Sequence, residues 1–535
     1  LRYGELSELT LRQKLGQIFM FGFDGHHVPP HVQDLLRDYR LGNIIYFRRN
    51  VSHSEQIIAL SQELQQQSAR WNSIPLSIAI DQEGGMVARI DRDVTVMPGQ
   101  MTLGAARSAK YAYDAGKISG MELAQLGITI NFAPVLDVHN NPLNPVIGIR
   151  SFGEQPEQVA ELGVSMISGY QEMGVAACAK HFPGHGDTTA DSHEELPAVM
   201  HSLDRLHRIE LVPFKAAVAA GVELIMTAHV QFPALEPGGK PATLSHRVLT
   251  ELLRDELGFE GVIVTDCLEM KAISEGVGVG EGAVEAFKAG ADLILVSHRL
   301  DRQLEAYAAL EQAVLAGEIS EERLNESVKR VLSMKQRQQH KLQQAKASSD
   351  FLPIGAAESI ERCQRMMEQA VTLVQDQAGY LPLDRTEQTL VLWPEVREST
   401  QVDEVIEQEL TLGKQLNQLG LSTVELVIGT EPTQEELEQV EHMLQQERFG
   451  QIVMGMYNAS SSSGQAHIVQ LLSKLSEQQK AKVIFISLRN PYDRSLLSSS
   501  DTYICAYENR PQMLQALSLA LVGSIPFQGK LPVQL

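Results

Sequence analysis

The 535-residue chain has only four cysteines, Cys178, Cys267, Cys363 and Cys505, and their spacing forms no disulfide framework. At least two of them fall in apolar runs. Free buried thiols are the simpler reading, and that reading leans towards a reducing compartment. Positive charge is also scarce. Against 67 Asp and Glu stand 45 Lys and Arg, a net charge of −22 at pH 7. Such a surface does not bind nucleic acid or another polyanion through a basic face. No apolar run reaches the length of a membrane span, and no signal peptide is visible. No glycine-rich dinucleotide turn follows the first apolar run, which counts against a doubly wound open sheet.

What is present is a regular alternation. From residue 17 to 298, short apolar runs alternate with longer amphipathic stretches. Eight runs read as strands: Ile18–Gly22, Asn43–Phe47, Leu76–Ile80, Ile128–Ala133, Ala176–Ala179, Leu224–Thr227, Val262–Thr265 and Leu293–Val296. Helical segments such as Ser54–Ala69, Ala109–Leu126 and Pro156–Met173 lie between most of them. This pattern predicts an α/β chain that opens with a (β/α)8 TIM barrel. Apolar runs return after a Gln-, Lys- and Ser-rich stretch, at Thr389–Trp393, Val424–Ile428, Ile452–Met456, Val483–Ser487 and Thr502–Ala506. They predict a second, layered α/β sandwich domain with a mostly parallel sheet. The expected boundaries are a barrel over 1–340, a linker over 341–354 and the C-terminal domain over 355–535. Ser460 to Ser463 reads as a flexible loop near a strand end.

In such a barrel, chemistry sits at the carboxyl ends of the strands. Polar residues gather there: Asp24, Asp81-Gln82-Glu83-Gly84-Gly85 with Arg89 beyond, Asp137 and His139, Lys180 and His181, His229, Asp266, and Ser297 and His298. Any one of them could simply close a strand. Together on one rim they favour a polar, hydrogen-bonding ligand. The densest stretch is Lys180-His181-Phe182-Pro183-Gly184-His185-Gly186-Asp187-Thr188, followed by Asp191-Ser192-His193. Ordering so many titratable groups on one loop is costly unless they act. Its glycines and polar content leave little to pin it, so the Asp191–His193 loop is expected to be mobile.

Asp266, a strand-end carboxylate, could act as a nucleophile. His193 could give and take a proton, with Asp191 holding the imidazole in one tautomer. That is the equipment of double-displacement glycoside hydrolysis. Metal binding is the sharpest rival, because His181, His185, Asp187, Asp191 and His193 are suitable ligand types. Their spacing matches no defined metal motif such as H-E-x-x-H. Cys267 has no neighbour placed to activate it and reads as a small buried residue.

Six segments occur in one order: Asp81-Gln82-Glu83-Gly84-Gly85-x-x-x-Arg89, Asn131-Phe132-Ala133-Pro134-Val135-x-Asp137, Arg150-Ser151-Phe152-Gly153, Lys180 through Gly186, Asp191-Ser192-His193 and Thr265-Asp266. In that order they resemble glycoside hydrolase family 3, in its bacterial β-N-acetylglucosaminidase branch of two-domain type. The resemblance spans about residues 10 to 300, and the closing Phe527-x-Gly529-Lys530-Leu531-Pro532-Val533 resembles the usual end of the second domain. It implies Asp266 as nucleophile, His193 as acid/base, Asp191 as its partner, and Asp81, Arg89, Arg150, Lys180 and His181 as ligands of the first sugar. β-Glucosidase members carry Trp after the nucleophile where this chain has Cys267, and they draw an acid/base Glu from the second domain.

The activity implied is that of a retaining exo-β-N-acetylglucosaminidase, a β-N-acetylhexosaminidase without cofactor or metal. Its implied substrates are GlcNAc-containing muropeptide fragments of peptidoglycan turnover and cell wall recycling, with chitooligosaccharides second. The alternatives are a β-glucosidase or β-xylosidase of the same family, a GlcNAc phosphorylase, and a silent sugar-binding module. A monomer without nucleic-acid or membrane partners is expected. The compartment expected is the cytoplasm, with secretion or cell-wall association as the alternative.

Overall fold

The computed structural model describes residues 6–397, 405 and 410–535. The barrel strands, with one hairpin among them, are β1 (Phe19–Phe21), β2 (Asn43–Tyr46), β3 (Ser77–Ile80), the hairpin β4 (Gln82–Gly84) and β5 (Val87–Ala88), β6 (Ile130–Asn131), β7 (Ala176–Phe182), β8 (Leu224–Thr227), β9 (Val262–Val264) and β10 (Ile294–Val296). Apart from the hairpin they form one parallel sheet in which β1 pairs with both β2 and β10. The circle is completed between β9 and β10 by a Val264–Leu293 bridge and by Leu293 N–H donating to Ile263 O at 3.0 Å. All eight runs read from the sequence are strands of this barrel.

The runs are apolar throughout because both faces are buried. Met20, Ile45, Ala79, Ile130, Cys178, Met226, Val264 and Leu295 point into the barrel, and their neighbours pack outward on the helices. Val331 and Met334, on the long helix Glu321–Lys346, join the interior cluster from below. That helix runs to Lys346, so residues 341–346, expected in the linker, are helical. Ala345 is buried against Met121 and Met173.

The second sheet contains β11 (Thr372–Gln375), β12 (Gln388–Glu395), β13 (Ser422–Gly429), β14 (Gln451–Met456), β15 (Lys482–Ser487) and β16 (Thr502–Cys505), in the order β11-β16-β15-β14-β12-β13. Only β11 is antiparallel to its neighbour. The serine run is not a loose loop. Ala459–Ser461 forms a single helical turn, and buried Ser462 caps the helix Ser463–Glu477 by accepting from Gln465 N.

The two domains are bonded at several places. Lys530 N donates to Ala105 O at 3.0 Å, Glu154 N to Pro532 O at 3.1 Å, and Ile149 N to Asn490 Oδ1 at 3.1 Å. All four cysteines are buried and unbridged. No helix among the described residues is long and apolar enough to cross a membrane.

The seam that closes the barrel carries a buried carboxylate. Asp292 accepts from Ile263 N at 2.9 Å, Ser327 Oγ at 2.6 Å and Arg330 at 3.1 Å, and it pairs with Arg254. Burial opposes its ionisation, but Arg254, Arg323 and Arg330 outweigh it and hold the carboxyl below its ordinary value. Asp292→Ala removes the buried partner of three part-buried guanidinium groups and should cost up to ~3 kcal/mol, read as a lower urea midpoint at pH 7. Because the folded pKa is depressed, this stabilisation is present above the ordinary Asp value and is lost as pH falls through the lower folded one. The gap between wild type and variant should therefore narrow on acidification. Equal midpoints at pH 7 would refute the role.

Candidate active site

The site grows from the β4–β5 hairpin at the mouth of the barrel. Gly84 and Gly85 adopt φ of +101° and +55°, where L side chains are strained. A Cβ on Gly84 would lie 2.6 Å from Pro98 O, and one on Gly85 2.6 Å from the Gly99 Cα. The turn buries Glu83 at 3% exposure between two cations. Arg150 grips it with two of its three guanidinium nitrogens, Nε to Oε2 at 3.0 Å and NH2 to Oε1 at 2.8 Å. Lys180 lies 2.7 Å from Glu83 Oε1 and 2.8 Å from Asp81 Oδ1. Burial works against all three charges. The two cations nevertheless hold Glu83 far below the usual carboxylate range, and the carboxylates raise Lys180 and Arg150.

A second buried carboxylate organises the loop after β7. Asp137, with no exposure, accepts from His181 N at 3.2 Å, from His181 Nδ1 at 2.8 Å and from His185 N at 2.6 Å. His185 then meets Thr188 Oγ1 at 2.8 Å and Ser192 Oγ at 3.0 Å. Ser192 is buried between Asp191 and His193. The sequence suggested little to pin this loop, yet these bonds tie it to the barrel. Gly186 serves close approach rather than freedom, since a Cβ there would sit 1.8 Å from Val138 O.

Asp191 Oδ1 accepts from His193 Nδ1 at 2.7 Å and from His193 N at 2.9 Å. The Nδ1 proton is thereby committed to Asp191, which leaves Nε2 to exchange protons. Burial would raise Asp191, but the His193 bonds bring it below its ordinary value. Asp266 follows β9. Burial disfavours its charge, while His229, His181 and His193 around it and the Cys267 N–H, 2.7 Å from Oδ1, hold the carboxyl below its usual value.

These groups share one cavity of about 340 Å³. Asp81, Arg89, Arg150, Lys180, His181, His193 and Asp266 all line it. Asp191 does not, and meets the cavity only through its bond to His193. Arg48 and Arg49, not singled out in the sequence, also line it, as do Glu83, Ser297 and His298, read only as rim residues, His185, read as a candidate metal ligand, and Cys267, read as a small buried residue. Asp24, Asp137, His139 and His229, read as rim residues, are not among the lining. Asp24 pairs with Arg49 at 2.6 Å, and buried His139 packs on Tyr492 of the second domain.

The five metal-ligand candidates do not converge. His181 bonds Asp137, His185 bonds Thr188 and Ser192, Asp187 pairs with His201, and Asp191 holds His193. Two other groups have ligand atoms close enough for an ion, Cys267/Glu269/His298 and Asp187/His201/Glu210. In the first, burial pushes the Cys267 thiol up to about 12, and Glu269 already accepts from His298 N at 2.6 Å. In the second, Arg205 lies 3.6 Å from Asp187 and 3.3 Å from Glu210 and supplies the positive charge.

The geometry can be set beside known proteins. The family model for the glycosyl hydrolase family 3 N-terminal domain matches residues 10–334. A glycoside hydrolase family 3 beta-N-acetylglucosaminidase from Paenibacillus sp. str. FPU-7 is similar over 98% of this chain and 99% of its own, with a TM-score of 0.93 and 49% identity. Beta-hexosaminidase A of Pseudoalteromonas piscicida is 33% identical over 98% of this chain and 97% of its own length. A beta-hexosaminidase of Neisseria meningitidis serogroup B is 38% identical over 50% of this chain and 74% of its own.

Removing the charge of Glu83 leaves Lys180 and Arg150 facing each other in a buried site. Glu83→Gln should lose ~3–5 kcal/mol of ligand binding and local stability together. Calorimetric titration with GlcNAc and a thermal melt check this. Wild-type affinity in a folded Glu83→Gln protein would show that the pairing does not organise the cavity.

Proposed function

Because the chain belongs to glycosyl hydrolase family 3, in its two-domain β-N-acetylglucosaminidase branch, we propose that it removes non-reducing terminal β-linked GlcNAc by a retaining, exo-acting double displacement. It is a glycoside hydrolase with β-N-acetylhexosaminidase activity. The observation that carries the mechanism is one cavity holding an ionised carboxylate, Asp266, and an imidazole, His193, whose Nδ1 proton is committed to Asp191.

In the first step an Asp266 oxygen bonds to the anomeric carbon as the glycosidic C–O bond breaks. His193 Nε2 gives its proton to the departing oxygen. Asp191 keeps the ring oriented and stabilises its cationic form. In the second step neutral His193 takes a proton from water, the water oxygen bonds to the anomeric carbon, and Asp266 leaves as carboxylate. Two inversions return the β configuration. Asp81, Lys180, Arg150, Arg89 and His181 supply the hydrogen bonds that hold the sugar hydroxyls, those of Lys180 and the two arginines charge-assisted. A cavity of about 340 Å³ lies at the small end of ligand pockets, which suits one terminal sugar ring rather than a chain threaded through. Muropeptide fragments with GlcNAc at the non-reducing end are the substrate class proposed, and chitooligosaccharides the second.

Nitrophenol release from the β-N-acetylglucosaminide should greatly exceed release from the β-glucoside. Asp266→Ala should abolish it, and His193→Ala should slow it by ~10²–10⁴-fold. A 5-fluoro glycoside should label Asp266. With phosphate present, the sugar product should remain free GlcNAc. Activity surviving Asp266→Ala would mean a different nucleophile, and GlcNAc 1-phosphate as product would mean a phosphorylase.

A further inference from the structure

The loop after β16 brings a carboxylate and a guanidinium of the second domain to the back of the sugar site. Glu508 and Arg510 are 1% and 3% exposed. Glu508 Oε2 accepts from Gly99 N at 2.8 Å, and a Cβ on Gly85 would meet the same oxygen at 2.4 Å. Arg510 Nε donates to Gly85 O at 2.7 Å, and its NH1 lies 3.6 Å from Asp91. Asp91 in turn pairs with Arg48, which also donates to Arg89 O at 3.0 Å. Arg48 and Arg89 line the sugar cavity. A separate cavity of about 10 Å³, close to the size of one water, is lined by Glu508 on one side and by Glu83 and Arg150 on the other. The hairpin carrying Glu83 is thus clamped at Gly85 from the second domain, one turn from the carboxylate that holds Lys180 and Arg150.

We propose that Glu508 and Arg510 are positioning residues of the first sugar subsite, so that docking of the second domain completes a site whose sugar ligands all come from the barrel. Glu508 differs in place and task from a second-domain acid/base glutamate. It sits behind the wall formed by Glu83 and Arg150 and outside the cavity that holds Asp266 and His193. The hairpin has barrel anchors of its own, Gly85 N to Met97 O at 2.8 Å and Gln82 Nε2 to Ile90 O at 2.7 Å. Loss of the clamp should therefore shift the hairpin rather than unfold it. Burial pushes the Glu508 carboxyl up to about 7. A neutral amide is accordingly a close mimic of it near neutral pH.

The inference rests on the sugar-site reading given above. Its test measures kcat and KM on nitrophenyl β-N-acetylglucosaminide per site titrated with the 5-fluoro glycoside, for the full chain and for Glu508→Ala, Arg510→Met and Glu508→Gln. Glu508→Ala and Arg510→Met should lower kcat/KM per titrated site at least tenfold, mainly through KM, and Glu508→Gln should recover most of that loss. A lower melting temperature or fewer titratable sites, with kcat/KM per site unchanged, would reduce the pair to interdomain adhesion and overturn the proposal. If Glu508→Ala does not fold, Arg510→Met decides. If wild type releases no nitrophenol, the hydrolase reading has failed separately. The clamp is then judged by GlcNAc affinity, at least tenfold weaker in Arg510→Met if it stands and equal to wild type if it does not.

Discussion

A carboxylate buried to 3% exposure between a guanidinium and an ammonium constrains the whole mouth of this barrel. Glu83 touches Arg150 and Lys180 at once and offsets much of the cost of burying both cations, since an unpaired buried charge costs several kcal/mol. The backbone must reach the spot where both cations converge, and it does so only by a turn with φ of +101° and +55° at Gly84 and Gly85. The glycine pair in Asp81-Gln82-Glu83-Gly84-Gly85 is therefore a consequence of placing Glu83. Asp81, one residue after β3, takes up the remaining reach of Lys180 and stays partly exposed, available to a ligand.

The carboxylates of the site divide by burial into two kinds. Glu83 and Asp137 are sunk in the protein and saturated with partners, so they hold other groups. Asp81, Asp191 and Asp266 are half-buried and have acceptor capacity left. Asp137 acts at a distance: it fixes His185, His185 reaches Ser192, and Ser192 sits between the two residues of the Asp191–His193 pair. His185 spends both ring nitrogens on ordering this loop, while the Nε2 of His193 takes no part in it.

The barrel was legible in the sequence because parallel strands buried on both faces are short, uninterrupted apolar runs, and no other local structure here produces eight of them. The fourth strand was read too long. Ile128–Ala133 contains a ladder of only two residues, and Asn131 spends its side chain on the backbone of Gln82 instead. The β4–β5 hairpin was not legible, because Gln82-Glu83-Gly84 has the composition of a loop. The proposed sugar ligands and His193 stood out through motif order, and the structure brings them to one cavity, with Asp191 bonded behind His193. Glu83 and Asp137 stood inside quoted motifs without a role, since spacing along the chain does not reveal that Glu83 meets a guanidinium 67 residues away. Glu508 gave no signal at all. Its partner Gly99 is 409 residues distant, and the surrounding Tyr507-Glu508-Asn509-Arg510 reads as an ordinary polar turn.

The proposed use of an imidazole rather than a carboxyl as acid/base fits the charge already present. The cavity holds Asp81 and Asp266 as carboxylates, with Asp191 one bond behind. In the proposed first step a carboxylic acid donor would become a further anion as it gave up its proton, at the moment Asp266 approaches the anomeric carbon. His193 becomes neutral instead, so the transfer adds no like charge to a partly desolvated site. His229, His181 and His193 around Asp266 favour its ionised form against the burial that opposes it. Asp191 makes this workable by accepting the Nδ1–H hydrogen bond, which fixes the tautomer that the second step requires. In the proposed mechanism one histidine thus serves both as the acid that frees the leaving group and as the base when water enters.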